Sequence, residues 1–340
     1  MEQINKVFVL GGAGFLGYHT IKEAANRSYK VKTVDIVGLP DDLQFDENQK
    51  VEFVVANFFA LTDAEIVEMI KGCDSFVYAG GVDDRIVPKK PARKFFYDTN
   101  VLPTARIARL AKEAGVHNFV LFGSYTSEFA ENNDELRLHN YQAEPYVETR
   151  LLQEKAAMYQ GEGAMNVSVL RLPYIFGTMP GKTPMTSMYV DMLRSQEFMP
   201  VTTGGFATIT ADQVGQAAMG ALENASHRKT YPAATGYISY EDFYKKILAD
   251  LGQTETTKLK VMPFEELEEA YKEDEKLTDA EGIEHGIRQV NMLRANSMEF
   301  RLPTDIAYEE LRVKEEDIDK VIDETIKASG IKQAEKPDEK

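Results

Sequence analysis

Residues 6–17, Lys-Val-Phe-Val-Leu-Gly-Gly-Ala-Gly-Phe-Leu-Gly, pass from a short apolar run directly into glycines. A run of this length, closed by Gly11, Gly14 and Gly17, reads as a buried parallel strand turning into a helix. Each glycine has its own task in such a turn. Gly11 permits the tight bend, Gly14 lets backbone N–H groups approach a pyrophosphate, and Gly17 lets the helix pack closely on the strand. The helix, with Phe15 and Leu16 in its first turn, then offers unpaired N–H groups and the positive end of a dipole to phosphates.

Context turns the glycine pattern into a site. A helical pattern follows (Leu16, Ile21, Ala24, Ala25), and a second strand, Val31-Lys-Thr-Val34, ends in Asp35, eighteen residues past Gly17. At that spacing a carboxylate meets the adenine-ribose hydroxyls of a dinucleotide. Asp35 therefore favours NAD over NADP, whose extra phosphate it would repel.

At 340 residues the chain can bury a substantial core, and two lobes are expected. Hydrophobic residues at 43% and charged residues at 28% describe a globular protein. No apolar run reaches membrane-spanning length, and the acidic start Met1-Glu2 lacks a basic lead, so the expectation is a cytoplasmic chain without a membrane partner. The single cysteine, Cys73, cannot form an internal disulfide and reads as packing in a reducing compartment. A net charge of −16 argues against nucleic acid as a partner, because phosphate backbones call for clustered Lys and Arg. Much of the acid lies in Glu265–Glu284, read as a solvated helical face. The five histidines (His19, His117, His139, His227, His285) are scattered, so no metal is expected.

Along the chain, Pro40-Asp-Asp marks a turn, and Val51–Ala56 reads as a strand leading to Asn57 and Phe58. A helix capped at Asp63 ends at Gly72. Ser75–Tyr78 is a strand opening into Ala79-Gly80-Gly81, small enough for a cofactor to lie against the sheet edge. Asp83 to Lys94 reads as a charged connection, and Asn100 to Ala114 as a helix ended by Gly115. Phe119–Phe122 is a strand that empties into Gly123-Ser124-Tyr125-Thr126-Ser127. A helix near Tyr146 places Tyr146 and Arg150 one turn apart on one face. A strand from Asn166 to Arg171 leads to Leu172-Pro173. This alternation implies an α/β fold, a doubly wound parallel sheet with ligands at the carboxyl ends of its strands. From Tyr174 to Val201 the pattern becomes irregular, as where a chain leaves a sheet to build a pocket. Ala207 to Asp212 reads as a strand and cap, Gln213 to Asn224 as a small-residue helix, and Tyr240–Leu251 and Lys314–Ala328 as amphipathic helices. Residues 331–340 read as a frayed tail.

Taken together, Gly11-Gly-Ala-Gly-Phe-Leu-Gly17, Asp35, Gly72-Cys-Asp74, Asn100-Val101, Phe119-Val-Leu-Phe-Gly-Ser124, Tyr146 with Arg150 and Glu154, Arg171-Leu-Pro173 with Phe176-Gly177, and Asp212 resemble the extended short-chain dehydrogenases/reductases. That family includes NAD-dependent epimerases, dehydratases, dihydroflavonol-type reductases and 3β-hydroxysteroid dehydrogenases. The resemblance implies a Rossmann domain over residues 1–173 with a returning segment 206–236, and a smaller mixed α/β C-terminal substrate lobe from 174–205 and 237–330. It implies cofactor contacts from Gly11, Gly14, Phe15, Leu16, Gly17, Asp35, Asn57, Phe58, Ala79, Gly80, Gly81, Asn100, Tyr146, Arg150 and Pro173.

In such enzymes a tyrosine on this helix exchanges a proton with the substrate oxygen while hydride passes to or from the nicotinamide; Tyr146 is the candidate. A free phenol, with a pKa of about 10, needs a nearby cation to serve as a base. The family has Lys where this chain has Arg150, which keeps its charge but cannot release a proton. The family hydroxyl position falls on Tyr125 when counted back from Phe129, so Ser124 or Thr126 would polarise a carbonyl, with Ser124 preferred. Asn57 stands where the family usually has Asp. The expected activity is NAD(H)-dependent oxidoreduction of a small alcohol or carbonyl substrate. The alternatives are a nucleotide-sugar epimerase or dehydratase and a non-catalytic dinucleotide sensor. Relatives often pair the helices matching Asn100–Ala114 and Tyr146–Tyr159, which implies a homodimer.

Overall fold

The computed structural model describes residues 4–40, 43, 45, 47–224 and 226–330. The start at Met1-Glu2, the turn at Asp41 and Asp42 and the tail 331–340 lie outside the described residues.

The first half alternates strand and helix as its apolar periodicity dictates: β1 (Lys6–Leu10), α1 (Phe15–Asn26), β2 (Lys30–Asp35), β3 (Val51–Val55), α2 (Asp63–Ile70), β4 (Ser75–Tyr78), α3 (Ala92–Phe96), α4 (Leu102–Glu113), β5 (Asn118–Ser124), α5 (Tyr125–Asn132), α6 (Asp134–Leu138), α7 (Pro145–Gly161) and β6 (Asn166–Leu172). The second half adds β7 (Tyr174–Phe176), α8 (Ser187–Leu193), β8 (Phe198–Thr202), β9 (Gly205–Thr210), α9 (Ala211–Glu223), β10 (Lys229–Pro232), β11 (Gly236–Ser239), α10 (Tyr240–Asp250), β12 (Lys258–Met262), α11 (Phe264–Ala280), α12 (Gln289–Asn296) and α13 (Ile318–Gly330).

Among the described residues, seven strands form one parallel sheet in the order β10-β6-β5-β4-β1-β2-β3. Strand order reverses between β1 and β4, and the crevice at such a reversal is where open α/β sheets bind ligands. Side chains alternate across the sheet, so β1 feeds two cores at once. Val7 and Val9 join Ile21, Val214 and Leu222 on one face, while Phe8 and Leu10 join Phe58, Phe76 and Phe119 on the other. Both layers are buried, and each large side chain removed from water stabilises by roughly 1.5–3 kcal/mol.

On the first face α9 lies on α1. Its small residues allow this: a Cβ at Gly215 would come 2.6 Å from the His19 carbonyl oxygen. Outside the main sheet, β9 pairs with β7 and β11, and β8 pairs in parallel with β12. These smaller sheets and α10 enclose an aromatic core of Phe176, Phe206, Tyr240 and Phe243.

Several boundaries differ from the sequence expectation. The helix read as starting at Asn100 begins instead at Ala92, behind Pro91, and runs through a wider turn at Tyr97–Val101 into α4. Proline at a helix start fits the unpaired first turn, and that signal cuts short the connection read as reaching Lys94. The α2 cap is Thr62, which forms a reciprocal capping box with Glu65, so Asp63 lies inside the helix. Likewise Thr210 caps α9 and Asp212 lies in its first turn. The segment after β5, read as a loop, is α5, with the Ser124 side chain accepting from the Thr126 N–H as its cap. At the C-terminus the helix starts at Ile318 rather than Lys314.

Candidate active site

The glycine turn is built as its spacing requires. Gly11 adopts φ +92, a conformation that a side chain disfavours. A Cβ at Gly17 would sit 2.0 Å from the Gly11 carbonyl oxygen, so only glycine lets α1 lie this close. Gly14 caps α1 without any side-chain hydrogen bond, and no acidic residue occupies the first turn. The first N–H groups of α1, at Phe15 and Leu16, are thus left without an intrahelical or capping partner. The Asp35 carboxylate at the end of β2 accepts from the Ala13 N–H at 2.9 Å and from the Ile36 N–H at 2.7 Å, which fixes it beside the turn. A bare helix N-terminus flanked by a held carboxylate suits the diphosphate and ribose of a dinucleotide.

Across the crevice, β4 is followed by Ala79, whose N–H donates to the Leu10 carbonyl, and then by Gly80 and by Gly81 at φ +142. Asn100, fully buried in the wide turn before α4, clamps the next residue from both sides. Its Oδ1 accepts from the Val82 N–H at 2.9 Å, and its Nδ2 donates to the Val82 carbonyl at 2.8 Å. Asn100 therefore acts on this loop. Asn57 is exposed beside β3, and the Phe58 ring is buried at 2% exposure and packs on Phe8. Pro173 is buried just beyond β6.

Tyr146 sits in the first turn of α7, where its N–H donates to the Gly286 carbonyl at 2.7 Å and its ring meets Phe96 edge-on at 5.2 Å. Arg150 follows one turn later, with its guanidinium 5.8 Å from the Tyr146 ring centre. One arm of that guanidinium donates to the Phe122 carbonyl at 2.7 Å. Its buried Nε has no hydrogen-bond partner among the described residues. Ser124 and Thr126 are both buried, with their hydroxyls 2.8 Å apart.

Burial is the main reason that the Tyr146 phenol is pushed up to about 12. The Arg150 cation and the Ser124 hydroxyl pull it back down, while Asp84 and Asp83 push it further up. At neutral pH the side chain therefore carries its proton, ready to donate to an oxyanion. A positive charge arriving nearby would favour the phenolate.

Sequence reasoning missed two parts of this site. One is the Asp83-Asp84-Arg85 loop after Gly81. The other is a group of phenols, Tyr125, Tyr174 and Tyr240, contributed by widely separated segments. Tyr174 and Tyr240 bring their hydroxyls to 3.3 Å, and Tyr125 packs on the Tyr174 ring at 5.8 Å. The acidic pair behind two glycines was the only local signal for the loop, and nothing local signalled the phenols.

The profile of the NAD dependent epimerase/dehydratase family matches residues 7–205, more than half of the chain. The chain belongs to that family. Sterol-4-alpha-carboxylate 3-dehydrogenase, decarboxylating, from Mus musculus is 24% identical over 201 residues, covering 57% of this chain and 52% of the relative. A putative dihydroflavonol 4-reductase from Synechocystis is 23% identical, covering 58% of this chain and 57% of the relative. The chain thus spans about half the length of these curated relatives.

In fold, it superposes on the UDP-N-acetylglucosamine 4-epimerase of Bacillus cereus with a TM-score of 0.65 at 14% identity, covering 98% of this chain and 99% of the other. The dTDP-glucose 4,6-dehydratase of Streptomyces venezuelae, solved with NAD bound, gives a TM-score of 0.67 at 15% identity over 95% and 96%. The family is NAD dependent, and its members include dehydrogenases and epimerases. Among the described residues no helix is long and apolar enough to cross a membrane, and no group of three His, Cys, Asp or Glu is placed to hold a metal.

Proposed function

We propose that the chain is an NAD(H)-dependent oxidoreductase that moves hydride between the nicotinamide and a small alcohol or carbonyl substrate. The observation that carries this reading is Tyr146, buried and protonated, with the Ser124 hydroxyl and the Arg150 cation both acting on its phenol. The bare N-terminus of α1 and Asp35 support NAD as the coenzyme, which supplies the hydride acceptor or donor when bound. Gly80, Gly81 and Pro173 would border its nicotinamide half.

In reduction the protonated Tyr146 gives its proton to the carbonyl oxygen as the carbon receives hydride; in the oxidising direction its phenolate form, favoured by the Arg150 cation and by the charge of the oxidised coenzyme when bound, would take the hydroxyl proton. Ser124 orients the same oxygen. Arg150 favours the phenolate by charge alone, because a guanidinium holds its proton at all working pH values. Residues 1–173 with 206–236 would hold the coenzyme, and 174–205 with 237–330 the substrate. The experiment is NADH formation or consumption across an alcohol and ketone panel, wild type beside Tyr146→Phe. Equal rates in the two would remove Tyr146 from the chemistry.

A second reading, nucleotide-sugar epimerisation, draws support from the UDP-glucose 4-epimerase of Klebsiella pneumoniae, 27% identical over 129 residues. UDP-sugar conversion without net NADH change would favour it. We further propose a homodimer through α4 and α7, which leave Leu102, Leu152 and Tyr159 exposed. Light scattering on Leu152→Glu checks this, with a monomer expected. The lone thiol, Cys73, is buried and pushed up to about 11 by burial, which suits a cytoplasmic location.

A further inference from the structure

Between α11 and α12 the chain runs as a strap across the entries of two earlier helices. It first pairs with the stretch ahead of α3, where the Lys90 N–H donates to the Gly282 carbonyl at 3.1 Å and the Glu284 N–H to the Pro88 carbonyl at 2.9 Å. The Glu284 carboxylate then accepts from the Ala92 N–H at 2.7 Å, at the first residue of α3. Two residues on, the strap reaches α7. Pro145 opens that helix and has no N–H, so the first N–H in need of a partner belongs to Tyr146, and the Gly286 carbonyl accepts it at 2.7 Å. The approach is close: a Cβ at Gly286 would stand 2.8 Å from the Tyr146 Cβ and 2.7 Å from the Phe96 ring.

Glu144 grips the far end of the strap. It is the N-cap residue of α7, yet its side chain makes no capping bond to that helix. Its carboxylate, in a residue only 1% exposed, accepts instead from the Arg288 N–H at 3.1 Å, from the Arg288 guanidinium at 2.8 and 2.9 Å, and from the buried Asn291 amide. A buried carboxylate is tolerated where charged and polar donors meet it, and these arrive from 144 residues further along the chain. Glu144 and Tyr146 are thus fastened to one strap, the first by its side chain and the second by its backbone.

We propose that Glu144 is a positioning residue, which by holding Arg288 and Asn291 keeps the Gly286 carbonyl on the Tyr146 N–H and so fixes where the phenol stands beside Ser124 and Arg150. The role rests on Tyr146 being the acid/base, and it gives the C-terminal segment a share in aiming that phenol. With the grip lost, the first turn of α7 keeps a proline and an unpaired N–H, and frays. Among the described residues the strap makes no hydrogen bond to α1 or to Asp35, so the diphosphate and ribose end of the crevice is spared.

The test places 3-fluorotyrosine at position 146 alone and reads its fluorine resonance in the full chain, with and without NAD+, at a temperature where circular dichroism shows every variant folded. Glu144→Ala should shift or split the resonance, and Glu144→Gln, which keeps one accepting oxygen, should do so less. Arg288→Ala removes the half-exposed partner instead and should move the signal in the same direction, which keeps the question open to test if the Glu144 variants do not fold. Asn224→Ala breaks a bond of the same kind outside the strap, to the Glu310 carbonyl at 2.7 Å, and should leave the resonance in place. An unmoved resonance in the folded Glu144 and Arg288 variants overturns the inference, and so does an equal shift in Asn224→Ala.

Kinetics supply the second readout, on whichever alcohol of the panel wild type oxidises. Glu144→Ala should lower kcat about tenfold or more while KM for NAD+ stays within about threefold, because a misaimed phenol costs rate rather than coenzyme binding. A change confined to KM overturns the inference. If no alcohol or ketone is turned over, or Tyr146→Phe matches wild type, the oxidoreductase reading fails, and the fluorine resonance still decides whether Glu144 fixes the side chain at position 146.

Discussion

The two mouths of the crevice are made of different material. On the side of β1, β2 and α1 the surface is backbone: glycines, unpaired N–H groups and one carboxylate already held by two main-chain donors. On the side of β5 and α7 it is side chain: the Tyr146 phenol, the Arg150 guanidinium and the hydroxyls of Ser124 and Thr126. The first surface fails by steric clash, because nothing in it can move without moving a helix. The second fails by loss of charge or proton, because its fold is carried by layers behind it. Substitutions on the first side should therefore weaken binding and stability together, and substitutions on the second should change chemistry while leaving the fold intact.

The largest expected effect tests the side-chain mouth. Tyr146→Phe should lower kcat about 10²–10⁴-fold while the circular dichroism spectrum and NAD+ affinity stay close to wild type. A parallel loss of fold would break the contrast. Gly17→Ala then probes the backbone mouth: its Cβ would meet the Gly11 carbonyl oxygen at 2.0 Å, so α1 must shift. Urea unfolding should show a loss of about 1–3 kcal/mol, and NAD+ heats should fall with it.

Asn100→Ala lies between the two surfaces. It removes both hydrogen bonds to Val82 and should cost about 1–2 kcal/mol, with faster trypsin cleavage at Arg85.

The pH dependence sharpens the contrast further. Arg150 lowers the Tyr146 pKa, so Arg150→Met should move the alkaline limb of the rate profile to higher pH, while Arg150→Lys should keep it near wild type.

The smallest effect sits outside both mouths, where Asp212 on α9 accepts from His19 at 2.6 Å and from Lys22. The His19 hydrogen bond, first among the causes, holds the Asp212 carboxyl down at about 2. The stability it contributes is present above the ordinary aspartate range and is lost as pH falls from about 4 through 2. Because the carboxylate is half-exposed, Asp212→Asn should cost under about 1 kcal/mol at pH 7 in urea melts, and the difference should shrink as pH falls from about 4 and vanish only below 2.

The backbone mouth was the more legible. Gly11, Gly14, Gly17 and Asp35 occupy positions set by a strand, a turn and a helix that are contiguous in the chain, so spacing alone identifies them. Tyr146 and Arg150 could be paired for the same reason, as neighbours one turn apart on one helix. Ser124 was placed at the right strand end, but its cap on α5 went unread because the segment after it carries no long apolar period. Phe58 lies past the end of β3, and its ring packs into the core against Phe8, a tertiary contact that no local pattern signalled.

By itself the sequence determined the parallel strands, the glycine turn and the tyrosine-bearing helix, since these depend on periodicity and on residues close along the chain. Only tertiary structure decided that Tyr125, Tyr174 and Tyr240 pack together. Their convergence depends on how loops at the ends of different strands fold over the sheet, and burial, which sets their charge states, exists only once those loops have closed.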